Sequence, residues 1–572
     1  MKRLLVGLLS AAALLAGAAQ AADAPPPSPA LALQPHAMVA AANPLAAQAG
    51  LEVLKHGGSA MDAAVAVQAV LALVEPQSSS LAGGSFMIYF DGKTHRLTAY
   101  DGREVAPAGA TPALFLGPDG KPMGFGAAIL SGHSAGVPGA IAMLYLAQHE
   151  HGRLPWKSLF TDGERLGDDG FIVSPRLAGM ISLKQVPQHN APDVAHYFSK
   201  PDGTLMTAGD RLTNHAYADV LRKIAVEGPR AILAGPIAAD IIKRLHEDPL
   251  PSTMTLADLA NYRPHETPAL CRPYREYLVC SDQAPSGGMA VIEALGLLEH
   301  TDIATRGPTD PQAWLEIGEA EELMYADRDT YEGDPAFVHV PVDGLLDPAY
   351  LTARAQLIGT SWFAHPPAAG HPAGAPNVGL DATAEPGGTS HFVIVDAAGN
   401  VVSMTTTVES IFGDGRMVDG FFLNNQLTDF SFAPVTRGGL PVANAVAAGK
   451  RPRSSMAPVI VLDKQGKFVA AVGSPGGNAI PAYVLKTLVA VLDWHMSMQD
   501  AAALPNLIAR GGSVQTEPAK FAPGVVDALT AKGLPIRAGY AAEGSGIHGV
   551  IARPGGYEGG ADPRREGVAI GY

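Results

Sequence analysis

Residues 365–388 are not expected to form regular secondary structure, and they lead directly into a strongly β-patterned stretch. It is dense in proline, alanine and glycine, which do not sustain a core helix or strand, so it is expected to cross the surface as a mobile, accessible loop. Two stretches rich in β-branched and aromatic residues, 391–395 and 401–408, flank the turn Asp396-Ala-Ala-Gly-Asn400, which indicates a β-hairpin. Thr389 therefore lies where an accessible loop enters a hairpin.

The turn also predicts the register of this hairpin. If residues 397–399 form a three-residue loop, Asp396 faces Asn400 and Thr389 faces Thr407. Directly opposed residues have Cβ atoms about 4.5–5.5 Å apart, close enough for a hydrogen bond between two threonines. The pairing depends on the absence of a β-bulge.

The position of Thr389 favours one kind of nucleophilic chemistry. A threonine hydroxyl reacts poorly unless a base lies beside it, and the free α-amine of a chain that begins with threonine can be that base. Cleavage between Gly388 and Thr389 would create such an N-terminus, and glycine permits the strained backbone that an internal N→O acyl shift needs. Taken alone, the Gly-Thr dipeptide is a weak motif, since threonine is also a common strand residue.

The N-terminus has the order of a secretory signal. Met1, Lys2 and Arg3 precede an apolar run over residues 4–19, and Ala19-Gln20-Ala21 follows. A basic start, an apolar run and an A-x-A site predict removal of residues 1–21 and export to the periplasm, with no membrane anchor left afterwards. A membrane helix is the alternative, but the run is short and a proline-rich stretch follows it.

The two cysteines, Cys271 and Cys280, flank a stretch that could turn near Arg275 and Glu276. In a hairpin of that register they would lie opposite each other, within reach of a disulfide in an oxidising compartment. Two reduced strand residues fit the spacing equally well. No CxxC pair or convincing histidine set is present, so no metal site is expected. The nucleophilic chemistry predicted for Thr389 also needs no organic cofactor.

Composition and pattern limit the other possibilities. The 572 residues are 47% hydrophobic and carry a formal charge of −15 without a lysine- or arginine-rich block, so a large core is expected and a nucleic-acid partner is not. Residues 43–75 are predicted to form a helical pair whose second member begins with Ser59 as cap and Asp62 as its partner. Strands are expected near residues 86–90 and 96–100.

Several blocks, in order along nearly the whole mature chain, resemble the γ-glutamyltransferases. In the second part they are Gly-Thr-Ser-His-Phe at 388–392, Phe-Gly-Asp-Gly at 412–415, Leu-Asn-Asn-Gln-Leu-Thr-Asp-Phe at 423–430, Lys-Arg-Pro-Arg-Ser-Ser-Met at 450–456, Gly-Ser-Pro-Gly-Gly at 473–477, Asp-Pro-Arg at 562–564 and Gly-Tyr at 571–572. In the first part they are Gly-Gly-Ser-Ala-Met-Asp-Ala-Ala at 57–64, Asp-Gly-Arg-Glu at 101–104 and Ala-Asp-Arg at 326–328. An ordered series is far more specific than any single block.

The resemblance implies an α+β fold, the four-layer αββα sandwich of the N-terminal nucleophile hydrolases, formed jointly by two chains cut from one precursor. Here these would be a large subunit, 22–388, and a small catalytic subunit, 389–572, cut between Gly388 and Thr389. Glutathione or another γ-glutamyl compound would be the donor, and water, an amino acid or a peptide the acceptor.

The resemblance also implies a role for each matched residue. Thr389 would be the nucleophile and Thr407 its support, while the backbone N–H groups of Gly476 and Gly477 would form the oxyanion hole. The substrate-binding residues divide between the α-carboxylate, held by Arg103, Ser454 and Ser455, and the α-ammonium group, held by Glu409, Gln426 and Asp429.

Two departures from the family pattern concern specificity. Glu409 stands where many members have asparagine, although others have glutamate. The segment between Ser431 and Lys450, a lid in many members and often carrying a tyrosine, has no aromatic residue after Phe432. Since glutaryl-type β-lactam acylases share the nucleophile and much of the pocket, the acyl group is left open.

Two other functions remain as alternatives. Gly132-His-Ser134-Ala-Gly136 matches the G-x-S-x-G elbow, which would make Ser134 the nucleophile of an α/β-hydrolase, although Pro138 and Gly139 delay the helix that should follow. A non-enzymatic periplasmic binding protein would require an uncleaved, two-lobed chain.

Overall fold

The protein is described by a computed structural model that covers residues 33–538 and 544–572. The predicted signal segment, residues 1–21, lies outside these ranges. Within them, no helix combines the length and the hydrophobicity needed to cross a bilayer.

The strands of the described residues are numbered in chain order. They are β1 (Met38–Ala41), β2 (Gly84–Phe90), β3 (Leu97–Asp101), β4 (Phe171–Ile172), β5 (Arg211–Leu212), β6 (His265–Pro268), β7 (Leu270–Tyr274), β8 (Tyr277–Ser281), β9 (Thr389–Val395), β10 (Val401–Thr407), β11 (Met417–Val418), β12 (Phe421–Phe422), β13 (Val459–Asp463), β14 (Phe468–Gly473), β15 (Leu507–Arg510), β16 (Ser513–Thr516), β17 (Ile536–Ala538), β18 (His548–Arg553), β19 (Gly556–Ala561) and β20 (Val568–Gly571).

The α-helices are numbered in the same way. They are α1 (Pro44–Lys55), α2 (Ala60–Val74), α3 (Phe125–Ile129), α4 (Ala140–His151), α5 (Thr161–Asp169), α6 (Pro175–Ile181), α7 (Pro192–Tyr197), α8 (His215–Glu227), α9 (Arg230–Leu233), α10 (Gly235–Leu245), α11 (Leu256–Asn261), α12 (Gly288–Leu298), α13 (Pro311–Tyr331), α14 (Val342–Leu345), α15 (Pro348–Ala355), α16 (Ile480–Leu492), α17 (Met498–Ala503) and α18 (Val525–Ala531).

Two large sheets form the centre of the molecule. One has the order β20-β1-β9-β10-β2-β3-β6 and the other β19-β18-β14-β13-β8-β7. Their inner faces share an apolar layer that includes Ile88 and Val393 from the first sheet and Ile460 and Val550 from the second. Helices α1, α2 and α4 pack on the outer face of the first sheet, and α12 and α16 on that of the second. The layers therefore follow the predicted order αββα, while the division into two chains stays a prediction.

Both sheets combine strands from before and after Thr389. In the first sheet, β1 is paired on both sides with later strands, β20 and β9. In the second, the early hairpin β7–β8 pairs with the later strand β13. The two parts of the chain thus form one core rather than two lobes, which does not fit the binding-protein alternative.

The helical pair predicted over residues 43–75 is confirmed as α1 and α2, and its cap touches the hairpin. Ser59 Oγ accepts from Asp62 N–H, and Asp62 Oδ2 accepts from Ser59 N–H at 2.8 Å, so the capping box satisfies both groups. Every residue of α2 is buried, as its nearly continuous apolar sequence requires. Asp396, in the β9–β10 turn, accepts a further hydrogen bond from Ala60 N–H at 3.0 Å. The helix start and the hairpin turn therefore fix each other.

The cysteine hairpin is also confirmed. Cys271 in β7 pairs directly with Cys280 in β8, and the two sulfur atoms are bonded. Of the two possibilities that the spacing left open, the structure has the disulfide.

The Ser134 alternative is wrong. A nucleophile elbow needs a strand before the serine, but helix α3 precedes it and Gly132–Ser134 is a 3-10 turn. The buried Ser134 hydroxyl donates to the carbonyls of Ile129 and Ser131, both at 2.8 Å, so it serves the local turn rather than a base.

Candidate active site

The hairpin β9–β10 brings two threonine hydroxyls together at its open end. Thr389 pairs with Thr407 and Val395 with Val401, the register that the turn predicted. The two Oγ1 atoms are 3.1 Å apart and both residues are buried. The nucleophile candidate therefore has a fixed hydroxyl neighbour.

Thr407 also contacts the peptide bond before Thr389. Its hydroxyl donates to Gly388 O at 2.9 Å and accepts from Glu409 N–H at 2.8 Å. Because its proton points at Gly388 O, its oxygen is available to accept from the Thr389 hydroxyl. A side chain at position 388 would place its Cβ 2.1 Å from Glu409 O, so only glycine fits at this position. The contacts join the nucleophile, its neighbour and the carbonyl that it would attack.

A small cavity of about 20 Å³ adjoins Thr389. Nearly all the predicted site residues line it, although they come from distant parts of the chain: Arg103, Thr389, Thr407, Glu409, Gln426, Asp429, Ser454, Ser455 and Gly477. Gly476 precedes Gly477 but is outside the lining. Within the described part of the chain, the lining includes no residue of the predicted lid, 431–450. The lid's one aromatic, Phe432, instead stacks on Phe115 with ring centroids 4.4 Å apart.

Gly476 and Gly477 form the turn between β14 and α16. Their φ angles are 141° and 56°, conformations that favour glycine, and Gly477 opens a 3-10 turn that continues into the helix. Their N–H groups therefore lie at the start of a helical segment, where backbone donors suit developing negative charge. In the uncut chain a Cβ on Gly477 would lie 2.2 Å from Glu385 O, so the segment before Thr389 presses against this turn.

The predicted ammonium site contains hydrogen-bond acceptors without donors. Asp429 Oδ2 accepts from Arg103 and from Gln426 Nε2, both at 2.6 Å. Within the described residues, Glu409 Oε1, Gln426 Oε1 and Asp429 Oδ1 are buried and receive no N–H donor, and the carboxyl groups of Glu409 and Asp429 contact each other. Burial and the neighbouring Asp429 charge raise the pKa of Glu409 well above its usual range, and burial raises that of Asp429 despite Arg103. The arrangement suits a cation that donates several hydrogen bonds.

Sequence reasoning missed Glu385, which fills the other side of the cavity. Its carboxylate oxygens lie 3.0 Å from Arg328 Nη2 and 2.9 Å from Arg453 Nη2, and Ser455 Oγ donates to it. Although burial alone would raise it, the guanidinium charges of Arg328 and Arg453 hold the pKa of Glu385 well below its usual range. The signal was an acidic residue just before Pro-Gly-Gly-Thr, but nothing local tied it to either arginine.

Arg565 was also missed. Its Nη1 donates to Thr389 O at 3.2 Å and its Nη2 to Gly544 O at 3.2 Å. It lies immediately after the Asp-Pro-Arg block at 562–564, which was recognised without a role. The contact holds the backbone of Thr389 on the side away from Gly388.

Comparison with protein families gives one match over most of the chain. A family model described as gamma-glutamyltranspeptidase matches residues 46–572. A glutathione hydrolase proenzyme of Bacillus subtilis is 38% identical over 82% of this chain and 80% of its own length. One of Escherichia coli is 34% identical over 98% of both chains.

Comparison with solved structures gives a further relative of the same overall fold. The crystal structure of a cephalosporin acylase from Bacillus halodurans superposes with a TM-score of 0.83 at 25% identity and covers 97% of this chain and 98% of its own.

Proposed function

Because this chain belongs to the gamma-glutamyltranspeptidase family, we propose that it is a self-cleaving γ-glutamyltransferase that acts on glutathione or another γ-glutamyl amide. The acyl group passes to water, an amino acid or a peptide. The site supports this proposal through the paired threonines, the cavity beside them and the buried acceptor oxygens that line it.

The first step is cleavage of the chain by its own nucleophile. Thr389 Oγ1 attacks the carbonyl carbon of Gly388, whose oxygen the Thr407 hydroxyl polarises, and the peptide nitrogen leaves as the free amine of Thr389. Water then hydrolyses the resulting ester. The products are a large subunit, 22–388, ending in the Gly388 carboxylate and a small subunit, 389–572, beginning at Thr389.

The second step uses the new N-terminus on a substrate. The α-amine of Thr389 takes the hydroxyl proton as Oγ1 attacks the γ-amide carbonyl, and the N–H groups of Gly476 and Gly477 stabilise the oxyanion. The departing amine takes up the proton, which leaves a γ-glutamyl ester on Thr389. Attack by water or an acceptor amine releases the acyl group and restores the hydroxyl.

The observation that carries the choice of donor is the group of unpaired acceptors. An ammonium group donates three hydrogen bonds, and Glu409, Gln426 and Asp429 each offer one buried oxygen that receives no N–H donor among the described residues. The ammonium group replaces the proton that Glu409 and Asp429 share in the empty site. A γ-glutamyl donor would satisfy them. A glutaryl group lacks the ammonium and would leave buried acceptors unpaired, which costs about 1–3 kcal/mol for each group.

The similarity to a cephalosporin acylase keeps a glutaryl donor as the second candidate. Matched γ-glutamyl and glutaryl anilides distinguish the two. The acceptor geometry predicts the higher kcat/KM for the γ-glutamyl compound, and the reverse order would favour the acylase.

Export to the periplasm is part of the proposal. The basic start, the apolar run and the A-x-A site support it, and the Cys271–Cys280 disulfide suits an oxidising compartment. Cell fractionation and N-terminal sequencing of the mature protein test it.

Intact mass of the wild type beside Thr389→Ala tests the self-cleavage. We expect two wild-type fragments, the smaller beginning at Thr389, and one uncut chain in the variant. A folded wild-type chain that stays uncut would contradict the mechanism.

A further inference from the structure

Glu385 belongs to a buried cluster of opposite charges beside the cavity. Three arginines take part, Arg328, Arg453 and Arg510, of which Arg328 and Arg453 are fully buried. Their carboxylate partners are Asp329, Asp381, Glu385 and Glu332. Such a cluster is stable only while its charges are matched, because an unpaired buried ion is costly.

Glu385 joins the two fully buried arginines of this cluster. Its carboxylate accepts from Arg328 Nη2 at 3.0 Å, from Arg453 Nη2 at 2.9 Å and from Ser455 Oγ. Withdrawal of Glu385 therefore leaves these donors without the acceptor that they share.

Glu385 also occupies space that a substrate needs. The cavity of about 20 Å³ is smaller than any acyl donor, and Glu385 and Pro386 form one of its walls. Glu385 O accepts from Asn478 N–H at 2.9 Å, so the segment is bound to the turn that holds the predicted oxyanion donors. In the self-cleavage, residues 385–388 are on the acyl side of the broken bond, and the donor's acyl group takes that same side afterwards.

We propose that Arg328, Arg453 and Ser455 form a carboxylate-binding subsite, which Glu385 fills in the uncut chain and which the free carboxylate of the acyl donor fills after cleavage. Binding of the donor carboxylate in the cut enzyme rests on the proposed function, whereas occupation of the subsite by Glu385 in the uncut chain does not. Glu385 is an internal copy of the substrate carboxylate, and its departure frees the two guanidinium groups and the Ser455 hydroxyl to bind the donor.

The subsite adds to the role predicted for Arg103. The Arg103 guanidinium is already bound to Asp429 and to the carbonyls of Pro452 and Arg453, at 2.6, 3.2 and 2.7 Å. Much of its charge is therefore spent on holding Asp429 in the ammonium site. Arg328 and Arg453 supply the charge that faces the carboxylate.

The test of the subsite in the uncut protein uses acetate as the probe. Glu385→Ala removes one methylene and one carboxylate, the size of acetate, and Thr389→Ala keeps the chain uncut. In the double variant, acetate should raise Tm by about 1–3 °C relative to chloride at equal ionic strength. Thr389→Ala alone and Thr389→Ala with Glu385→Gln keep the subsite filled and should not respond.

A third substitution, added to the double variant, shows which arginine binds the acetate. Arg453→Met should abolish the acetate response. Arg510→Gln should preserve it, because Arg510 belongs to the same cluster but binds Asp329 and Thr383 O rather than Glu385. An equal acetate response in the filled and emptied proteins would overturn the subsite. These measurements need neither cleavage nor activity, so their outcome is separate from that of the proposed function.

Kinetics of the cut enzyme test whether the donor carboxylate binds in this subsite. Arg453→Gln should lower kcat/KM about 10- to 100-fold for a γ-glutamyl donor with a free α-carboxylate and much less for its α-carboxamide. Arg510→Gln is the matched control and should affect both donors alike. Equal losses on the two donors in Arg453→Gln would show that the donor carboxylate binds elsewhere.

Discussion

Thr407 contacts groups that take part in both proposed reactions, the Gly388 carbonyl and the Thr389 hydroxyl. In the uncut chain its hydroxyl donates to Gly388 O and lies 3.1 Å from Thr389 Oγ1, the proposed nucleophile, and Glu409 N–H fixes its orientation. Because a single strand register places Thr407 beside both Thr389 and Gly388, its hydroxyl can polarise the Gly388 carbonyl without moving.

Replacement of Thr407 by the isosteric Val should therefore slow self-cleavage by about 100-fold or more, because it removes the proton donor to Gly388 O. Thr407→Ser retains the hydroxyl and should remain close to the wild type. Time courses of fragment formation on a denaturing gel measure this, with Tm as the control for folding. Equal rates for Val and Ser would exclude a part for the hydroxyl.

Glu409 gives the donor site a pH dependence. Its pKa is raised, first by burial and then by Asp429, so its carboxyl keeps a proton at a pH where an ordinary glutamate has lost it. A bound ammonium group must replace that proton. Donor affinity should thus fall as the pH falls through the raised pKa, by up to about tenfold per unit for one proton.

KM for a γ-glutamyl donor, measured from mildly acidic to mildly alkaline pH, tests this dependence. Glu409→Gln carries no exchangeable charge and should flatten the profile. Identical profiles in the two proteins would assign the titration to another group.

Among the elements, the turn between β14 and α16 has a strict backbone requirement. Gly477 has a φ of 56° and lies against Glu385 and Pro386 in the uncut chain. Gly466, in the β13–β14 turn, has a φ of 74°, but a Cβ there would meet only His95, at 3.7 Å.

Gly477→Ala and Gly466→Ala therefore form a matched pair. Both place alanine in a left-handed conformation at about 1–2 kcal/mol. Only Gly477→Ala should also prevent self-cleavage, because its Cβ would displace the segment that carries Gly388. Fragment formation and Tm, measured together, separate the two effects; efficient cleavage in Gly477→Ala would contradict the tight contact.

The elements also show which inferences a sequence supports. The Thr389–Thr407 pairing was predictable because a short turn sets the register of its own hairpin. The Ser134 motif stayed an alternative because a short apolar run before it is ambiguous between strand and helix, and here it is helix α3. The contacts of Glu385 with Arg328 and Arg453 join residues 57 and 68 positions apart. Both arginines lie in blocks that the sequence analysis recognised, but no local pattern ties either of them to Glu385.

In the whole molecule, both sheets interleave the two predicted subunits. Strand β1 lies between β9 and β20, and β8 pairs with β13. The backbone break proposed at Thr389 falls at the first residue of β9 and crosses no strand pairing.

The cut protein should therefore remain a single particle. Size-exclusion chromatography in native buffer should give one peak that contains both fragments, and only denaturant should separate them. Elution of the fragments in separate native peaks would contradict the shared sheets.

The segment Glu385–Pro386 in the acyl cavity has a consequence in time. If the uncut chain has no room for a donor, each molecule is latent until it has completed one reaction on itself. That reaction is first order, so its delay is the same in a dilute and in a concentrated solution. Faster synthesis would increase the amount of uncut protein without shortening the time that each molecule takes to cleave itself. Activity would therefore follow synthesis with a delay that is set by the rate of self-cleavage.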